Sequence, residues 1–331
     1  MNRSLLGLLP ALLFVPWLPG CTGNGGQEQD CYGDPLSCMD ASGSDHGYVV
    51  DDIIIPEDAD DAEAMGMDLD GDGEADNALG KVLATFQLQY EVDARVAAGD
   101  SILLVDVRAT DLAEATDAGL WFLQGANPDP APCVGNSCGR HLQGGASFTI
   151  DPESPDGALI HGDIAGGIFS GGPGTVTLRL ALSQGGEPLT LPLIGAFVAT
   201  TVQEDGLVDG TLAGAVHEDD IDTAVLPAVR DVITELVELD CPYALPDCCI
   251  AGTNGAFLLA LLDDCSSGSS TCDCQVTLEE LAENTLVQSM LRSDVDLLDN
   301  TGTYNPGLDG DNESISLAIG FTAVTASFPP P

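Results

Sequence analysis

From about residue 100 to residue 216 the chain is a series of short apolar runs, several of them alternating, separated by glycine and proline clusters. The runs are Ser101–Val107 (SILLVDV), Leu120–Leu123 (LWFL), Ala146–Ile150 (ASFTI) and Thr175–Leu182 (TVTLRLAL), continued by Leu189–Val202 and Leu207–Val216. The breaks include Gly171-Gly172-Pro173-Gly174 and Gly185-Gly186-Glu187-Pro188. A period of two puts alternate side chains on one face of an extended backbone, so each run predicts a strand with one buried face. Tyr48–Val50 with Ile53–Ile55 predicts an earlier strand, stopped by Pro56. Ile315, Leu317, Ile319 and Phe321 predict a last one, stopped by Pro329, Pro330 and Pro331. A terminal strand this regular needs a partner. The Ile53 strand is the expected neighbour, which would make residues 48–328 one cooperative unit.

The period changes outside this block. Asn77 can cap a helix through Leu79, Val82 and Leu83. After Pro227, a residue suited to a first helical turn, Val229, Val232, Ile233, Leu236 and Val237 fall at i, i+3, i+4, i+7 and i+8. Two more helices are predicted at Ala256–Leu262 and Leu278–Leu291. The expected fold class is α+β: an antiparallel β-sandwich or incomplete barrel, flanking helices, and a disulfide-rich, EF-hand-like helical subdomain. The expected divisions are a signal segment at 1–20, a Gly/Ser/Asp-rich tether at 21–47, a β-rich part at 48–220, a cysteine-rich helical part at 221–292, and a returning acidic loop and strand at 293–331.

The first residues read as a targeting segment. Arg3 precedes the apolar run Leu5–Trp17, which is shorter than the roughly 20 residues a spanning helix requires. Leu18-Pro19-Gly20-Cys21 resembles a bacterial lipobox, although Pro19 is an unusual middle residue. That resemblance implies cleavage before Cys21 and acylation of its thiol and amine with palmitate-like chains. More than one chain gives stable membrane attachment. Thr22, in place of an aspartate, implies sorting to the outer membrane or cell surface. The alternative is a cleaved secretory signal with Cys21 free or disulfide-bonded.

Charge and cysteine content sharpen this picture. The 331 residues carry 54 Asp plus Glu against 8 Lys plus Arg, a formal net charge of −46. Such a chain repels phosphate backbones, which excludes nucleic acid as a partner, and it repels anionic headgroups, which leaves the N-terminal lipid as the membrane attachment. With 44% hydrophobic residues it is nonetheless expected to fold and not to stay disordered. Of 11 cysteines, an odd number, lipidation of one leaves an even set. These fall in clusters: Cys31 with Cys38, Cys133 with Cys138, and Cys241, Cys248, Cys249, Cys265, Cys272 and Cys274. No C-x-x-C pair occurs, and His46, His141, His161 and His217 do not stand at zinc-finger spacing, so disulfides in an oxidising compartment are expected. Direct bonds between Cys248 and Cys249 or between Cys272 and Cys274 would be strained. The remaining connectivities stay open.

The strongest chemical signal is D-L-D-G-D-G-E-A-D at residues 68–76. Asp68, Asp70 and Asp72 stand at positions 1, 3 and 5 of an EF-hand loop, Gly73 at the turn position, the Glu74 carbonyl at 7 and Asp76 at 9. Position 12 is Leu79, where an EF-hand has a bidentate glutamate. One or two oxygens must therefore come from elsewhere. The expected affinity for Ca2+ is that of extracellular modules, about 10⁻⁴–10⁻³ M, which makes the role structural. Acid-rich stretches are usually only solvated surface, and twelve acidic residues with no basic one lie between Asp51 and Gly80. The ligand spacing and the two glycines distinguish 68–76 from that background. A weaker candidate set is Asp294, Asp296, Asp309 and Asp311, just before the last strand. Another is Asp273 with Glu280, although Thr277-x-x-Glu280 is also a helix capping box.

Together the lipobox, residues 68–80, residues 273–281 (DCQVTLEEL) and residues 314–324 (SISLAIGFTAV) resemble a group of bacterial lipoproteins without an established activity. The resemblance covers both ends of the chain, is weak over 100–216, and implies calcium at Asp68, Asp70, Asp72 and Asp76. The loop also recurs in dockerins, which duplicate it, and in thrombospondin type 3 repeats. The expected role is a membrane-anchored, calcium-stabilised structural or binding module, with no motif specifying a protein or glycan partner. The alternatives are an adhesin or a carboxylate-based hydrolase, for instance of glycosides. Against the hydrolase, there is no G-x-S-x-G elbow and no catalytic constellation, and aromatic residues make up only 5% of the chain.

Overall fold

Eight strands close into a ring. The computed structural model describes residues 41–330, other than 87, 155–158, 182–187, 243–247, 264–272 and 309. The strands are β1 (Ser44–Ile54), β2 (Leu103–Ala109), β3 (Glu114–Asp129), β4 (Ala146–Ile150), β5 (Ile160–Ala165), β6 (Ile168–Leu180), β7 (Leu189–Gln203), β8 (Gly206–His217) and β9 (Ser314–Ser327). The ring runs β1-β2-β3-β5-β6-β7-β8-β9 and returns to β1, and every pairing in it is antiparallel. An even number of strands is what an all-antiparallel closure requires. β4 stands outside the ring, antiparallel to β3 and parallel to β9.

The fold is thus a closed barrel, not a sandwich or an incomplete barrel. Alternation along the strands is the same in all three, so the sequence pattern does not separate them. The pairing that decides is β1 with β9, from Tyr48 opposite Thr325 to Ile54 opposite Gly320. Two strands lay outside the sequence expectation: β5, and the first half of β6. Gly162, Asp163, Gly171 and Gly172 break their apolar alternation. β1 starts at Ser44, inside the stretch read as tether, because Asp45 pairs with Arg108 across the strands at 2.6 Å.

Alternate side chains fill the barrel. Tyr48, Leu120, Phe169, Leu178 and Leu191 are each at most 1% exposed, and the rings of Phe122 and Phe321 meet edge to face at 5.6 Å. The Tyr48 hydroxyl donates to the Gln203 carbonyl at 2.9 Å. Among the described residues the α-helices lie in two insertions, and a short 3-10 turn (Arg140–Leu142) precedes β4. Between β1 and β2 come α1 (Ala59–Met65), α2 (Ala78–Phe86) and α3 (Gln89–Ala98). Between β8 and β9 come α4 (Glu218–Asp220), a π-helical turn, α5 (Leu226–Asp240), α6 (Asn254–Leu262), α7 (Leu278–Glu283) and α8 (Thr285–Met290). Helices α2 and α5 lie over the ends of β1 and β9, where Leu79, Leu83, Val229 and Val232 meet Ile53 and Ile319 around an apolar cavity of about 30 Å³. That volume is room for about one water, so among the described residues this end of the barrel is packed apolar core. Among the described residues no helix is long and apolar enough to cross a membrane.

Two smaller clusters lie on the outside of the wall. Val49, Leu104, Trp121 and Leu123 are covered by Phe148 of β4 and by Phe328. On the outer face of β8 and β9 Ala213, Ala215 and Ala318 are covered by Leu69, Val295 and Leu297. Gly195 of β7, with φ +60°, lets Tyr304 approach there: a Cβ would lie 2.7 Å from its ring. Disulfides join Cys133 to Cys138, Cys241 to Cys249 and Cys248 to Cys274. Cys21, Cys31, Cys38, Cys265 and Cys272 lie outside the described residues. The helix expected over 278–291 is two helices, because Asn284 leaves helical geometry and accepts from the Leu286 and Val287 amides as the cap of α8.

Asp106 sits on the outer face of β2, between Gly47 and Trp121, and is 2% exposed. Burial, and then the charge of Asp45, push its carboxyl up to about 7, while Arg108 pulls the other way. A folded-state value above the unfolded one means that the native state binds the proton more tightly, so stability falls as pH rises from about 4 through 7. Asp106→Asn is expected to remove that fall and to be more stable than the parent at pH 8 by about 2–4 kcal/mol, with little difference at pH 4. Urea unfolding at the two pH values measures this.

Candidate metal centre

The 68–76 loop hangs between α1 and α2 and is closed by its own backbone. Asp76 N–H donates to the Met67 carbonyl at 2.9 Å, and the two residues form an isolated antiparallel bridge. Gly71 and Gly73 take φ of +85° and +91°, which residues with a Cβ adopt only at a cost, so the turn needs glycine at both. The carboxylates then fold inward on the amides. Asp68 accepts from Gly71 N at 2.7 Å and from Gly73 N at 3.1 Å, Asp70 accepts from Asp72 N at 3.2 Å, and Asp76 accepts from Leu69 N at 2.8 Å.

This brings Asp68, Asp70 and Asp76 together, each offering an oxygen within 4.8 Å of the others. The cluster could hold a metal ion. Asp72 is not part of it: its Oδ1 accepts from Glu74 N at 2.8 Å, and both Asp72 and Glu74 are exposed. Leu79, at the position of the missing glutamate, is 2% exposed in the core under α2. Its place in the loop count was given up to packing.

The cluster is electrostatically uncomfortable as it stands. Asp76 is only 8% exposed, and burial, with the charges of Asp70, Asp294 and Asp72, pushes its carboxyl up to about 7. Asp70 is raised too, by burial first and then by Asp72 and Asp68. None of Asp68, Asp70 and Asp76 has an ion pair with a lysine, arginine or histidine among the described residues. Two ionised carboxylates at such separations repel by roughly 3–4 kcal/mol at an effective dielectric constant near 20. All the donors are hard oxygens, which suits a hard cation and not a thiophilic metal.

The acidic loop before β9 reaches this site but does not join the cluster. The Asp296 main-chain amide acts to lower the Asp70 carboxyl, and Gly307 packs so close that a Cβ there would lie 2.5 Å from the Asp70 carbonyl oxygen. Asp294 spends both oxygens on Ser316, accepting from its N–H at 2.8 Å and its hydroxyl at 2.6 Å. Asp296 accepts from Gly310 N at 2.6 Å. Asp311 lines a separate open cleft of about 880 Å³ with Glu218, Asp219 and Asp222, and Asp309 lies outside the described residues. At the Asp273 and Glu280 candidate both charges act on Asp263, whose carboxyl is pushed up to about 6 by burial first and then by Glu280 and Asp273. Glu280 completes the Thr277 capping box, and Asp273 accepts from Gln275 N at 3.0 Å. Residues 264–272, which precede Asp273, lie outside the described residues.

Asn77 is the site residue that the sequence pattern undervalues, as a simple helix cap. It does accept from Gly80 N at 3.1 Å, but its amide also pairs with Ala318 of β9, accepting from the N–H at 2.7 Å and donating to the carbonyl at 3.0 Å, and it donates to the Ala62 carbonyl at 2.9 Å. No local signal reveals this, because the partner lies 241 residues away.

Comparison with protein-family models, with curated proteins and with solved structures finds no match for this chain.

Asn77, at 1% exposure, holds a barrel strand, the start of α2 and α1 at once. Asn77→Ala leaves the Ala318 amide and carbonyl buried without a partner and is expected to cost about 3 kcal/mol in urea unfolding. A loss under about 0.5 kcal/mol, the size of an ordinary surface change, would show that the amide pairing contributes little.

Proposed function

We propose that the chain is an exported, membrane-anchored lipoprotein in which one calcium ion, held by the 68–76 loop, fixes the loops on the outside of a closed β-barrel. The barrel then serves as a rigid structural or binding module at the outer membrane or cell surface. The convergence of Asp68, Asp70 and Asp76 carries this reading. Calcium takes six to eight oxygens at about 2.3–2.6 Å, so ligands on opposite sides of the ion lie roughly 5 Å apart. The three carboxylate oxygens lie within 4.8 Å of one another, inside that limit. The anchor rests on Leu18-Pro19-Gly20-Cys21, and the oxidising compartment on the cysteine pattern, to which three disulfides in the described part give support. Asp68, Asp70 and Asp76 are the proposed side-chain ligands, the Glu74 carbonyl and Asp72 remain candidates directly or through water, and the other oxygens come from solvent or nearby carbonyls.

Calcium titration of the purified chain, following heat and melting temperature together, tests this. At a free concentration about 100 times Kd the ion is expected to add about 2.7 kcal/mol of stability. Asp70→Asn with Asp76→Asn is expected to abolish both responses. The same change should raise the melting temperature of the calcium-free protein, because it relieves the repulsion. If the parent protein gives neither heat nor a melting shift, the calcium reading is wrong.

A further inference from the structure

β9 carries an edge that the ring does not cover. β1 runs beside β9 only as far as Ile54 opposite Gly320, whereas β9 continues back to Ser314 along β8. In an antiparallel strand successive amides point to alternate sides, so Leu317 and Ile319 face β8 while Ser314, Ser316 and Ala318 face the side that β1 has left. An uncovered edge is a template for another strand.

Here each of those groups is met from outside the sheet. Ser314 N donates to the Val295 carbonyl at 3.3 Å, Ser316 N to the Asp294 carboxylate at 2.8 Å, and Ala318 N to the Asn77 side-chain carbonyl at 2.7 Å. Ser316 Oγ ties the two clasps together, donating to Asp294 at 2.6 Å and accepting from Ala78 N at 2.8 Å. Both clasps adjoin the carboxylate cluster. Asn77 directly follows Asp76, while Leu69 packs with Val295 and Leu297, and Gly307, whose N–H donates to the Asp296 carbonyl, lies against the Asp70 carbonyl.

We infer that the cation latches this edge: with the ion bound, Asn77 and Asp294 are held on Ala318 and Ser316, and with it removed, repulsion within the cluster loosens both clasps. The inference rests on the calcium reading above and adds to it the element that the ion controls. It follows because the two clasps belong to chain segments that touch each other at the cluster, where Asp68, Asp70, Asp72, Asp76 and Asp294 repel one another and, among the described residues, no lysine, arginine or histidine pairs with Asp68, Asp70 or Asp76.

Amide hydrogen exchange of the full chain, resolved by residue, in millimolar calcium and in chelator, tests the latch, with calorimetric calcium titration run on the same preparation. Protection of Ser316 and Ala318 is expected to rise about tenfold or more with calcium, while Leu317 and Ile319, bonded to β8 in the same strand, change much less. Binding heat with unchanged exchange at Ser316 and Ala318, or with an equal rise at all four residues, would overturn the latch and leave the calcium site standing. No binding heat at all would overturn both.

Discussion

The antiparallel pairing of β9 with both β8 and β1 is the constraint on which the rest of the molecule depends. It turns a run of strands into a ring, and it brings the last strand of the chain against the first. A ring has no free edges only where its strands match in length, and β9 outruns β1 at one end. The two helical insertions leave the barrel at β1 and β8, the neighbours of β9, and each sends a polar group back to the strand: Asn77 from one, Asp294 from the other. The side-chain amide of Asn77 supplies one acceptor and one donor to Ala318, as a residue of a longer β1 would have done.

This arrangement accounts for two otherwise costly features. A 1%-exposed asparagine is tolerated because both ends of its amide are bonded. Carboxylates with raised pKa values are tolerated at Asp70 and Asp76 because the backbone amides of Asp72, Asp296 and Leu69 point at them. Those amides offset part of the repulsion. A net charge of −46 would otherwise work against a compact state. Much of that charge is dispersed on exposed loops and helix ends, while the apolar interior of the barrel excludes it.

The strands of this chain were legible wherever alternation was unbroken: β7, β8 and β9 stand almost where the pattern puts them. Strand β5 was not, because Gly162 and Asp163 interrupt a segment whose burial is decided by its neighbours β3 and β6. The 68–76 loop was legible because ligand spacing and the glycines at 71 and 73 are local properties. The demotion of Asp72 was not, because the sequence cannot tell which carboxylate turns back to cap the Glu74 amide and which turns inward. The acidic residues at 294 and 296 do lie beside the cluster, as their position before the last strand suggested, but their carboxylates clasp Ser316 and Gly310 instead of joining it.

The sequence by itself determined the periodicity of the strands, the ligand-spaced loop, the cysteine clusters and the sign of the surface, since each depends on residues near one another in the chain. Tertiary structure alone decided that the sheet closes into a barrel, that three of the five acidic loop residues converge, and that Asn77 completes a strand 241 residues away. The physical reason is that closure and convergence depend on where strand ends stop and which side chains meet there, and alternation carries no record of either.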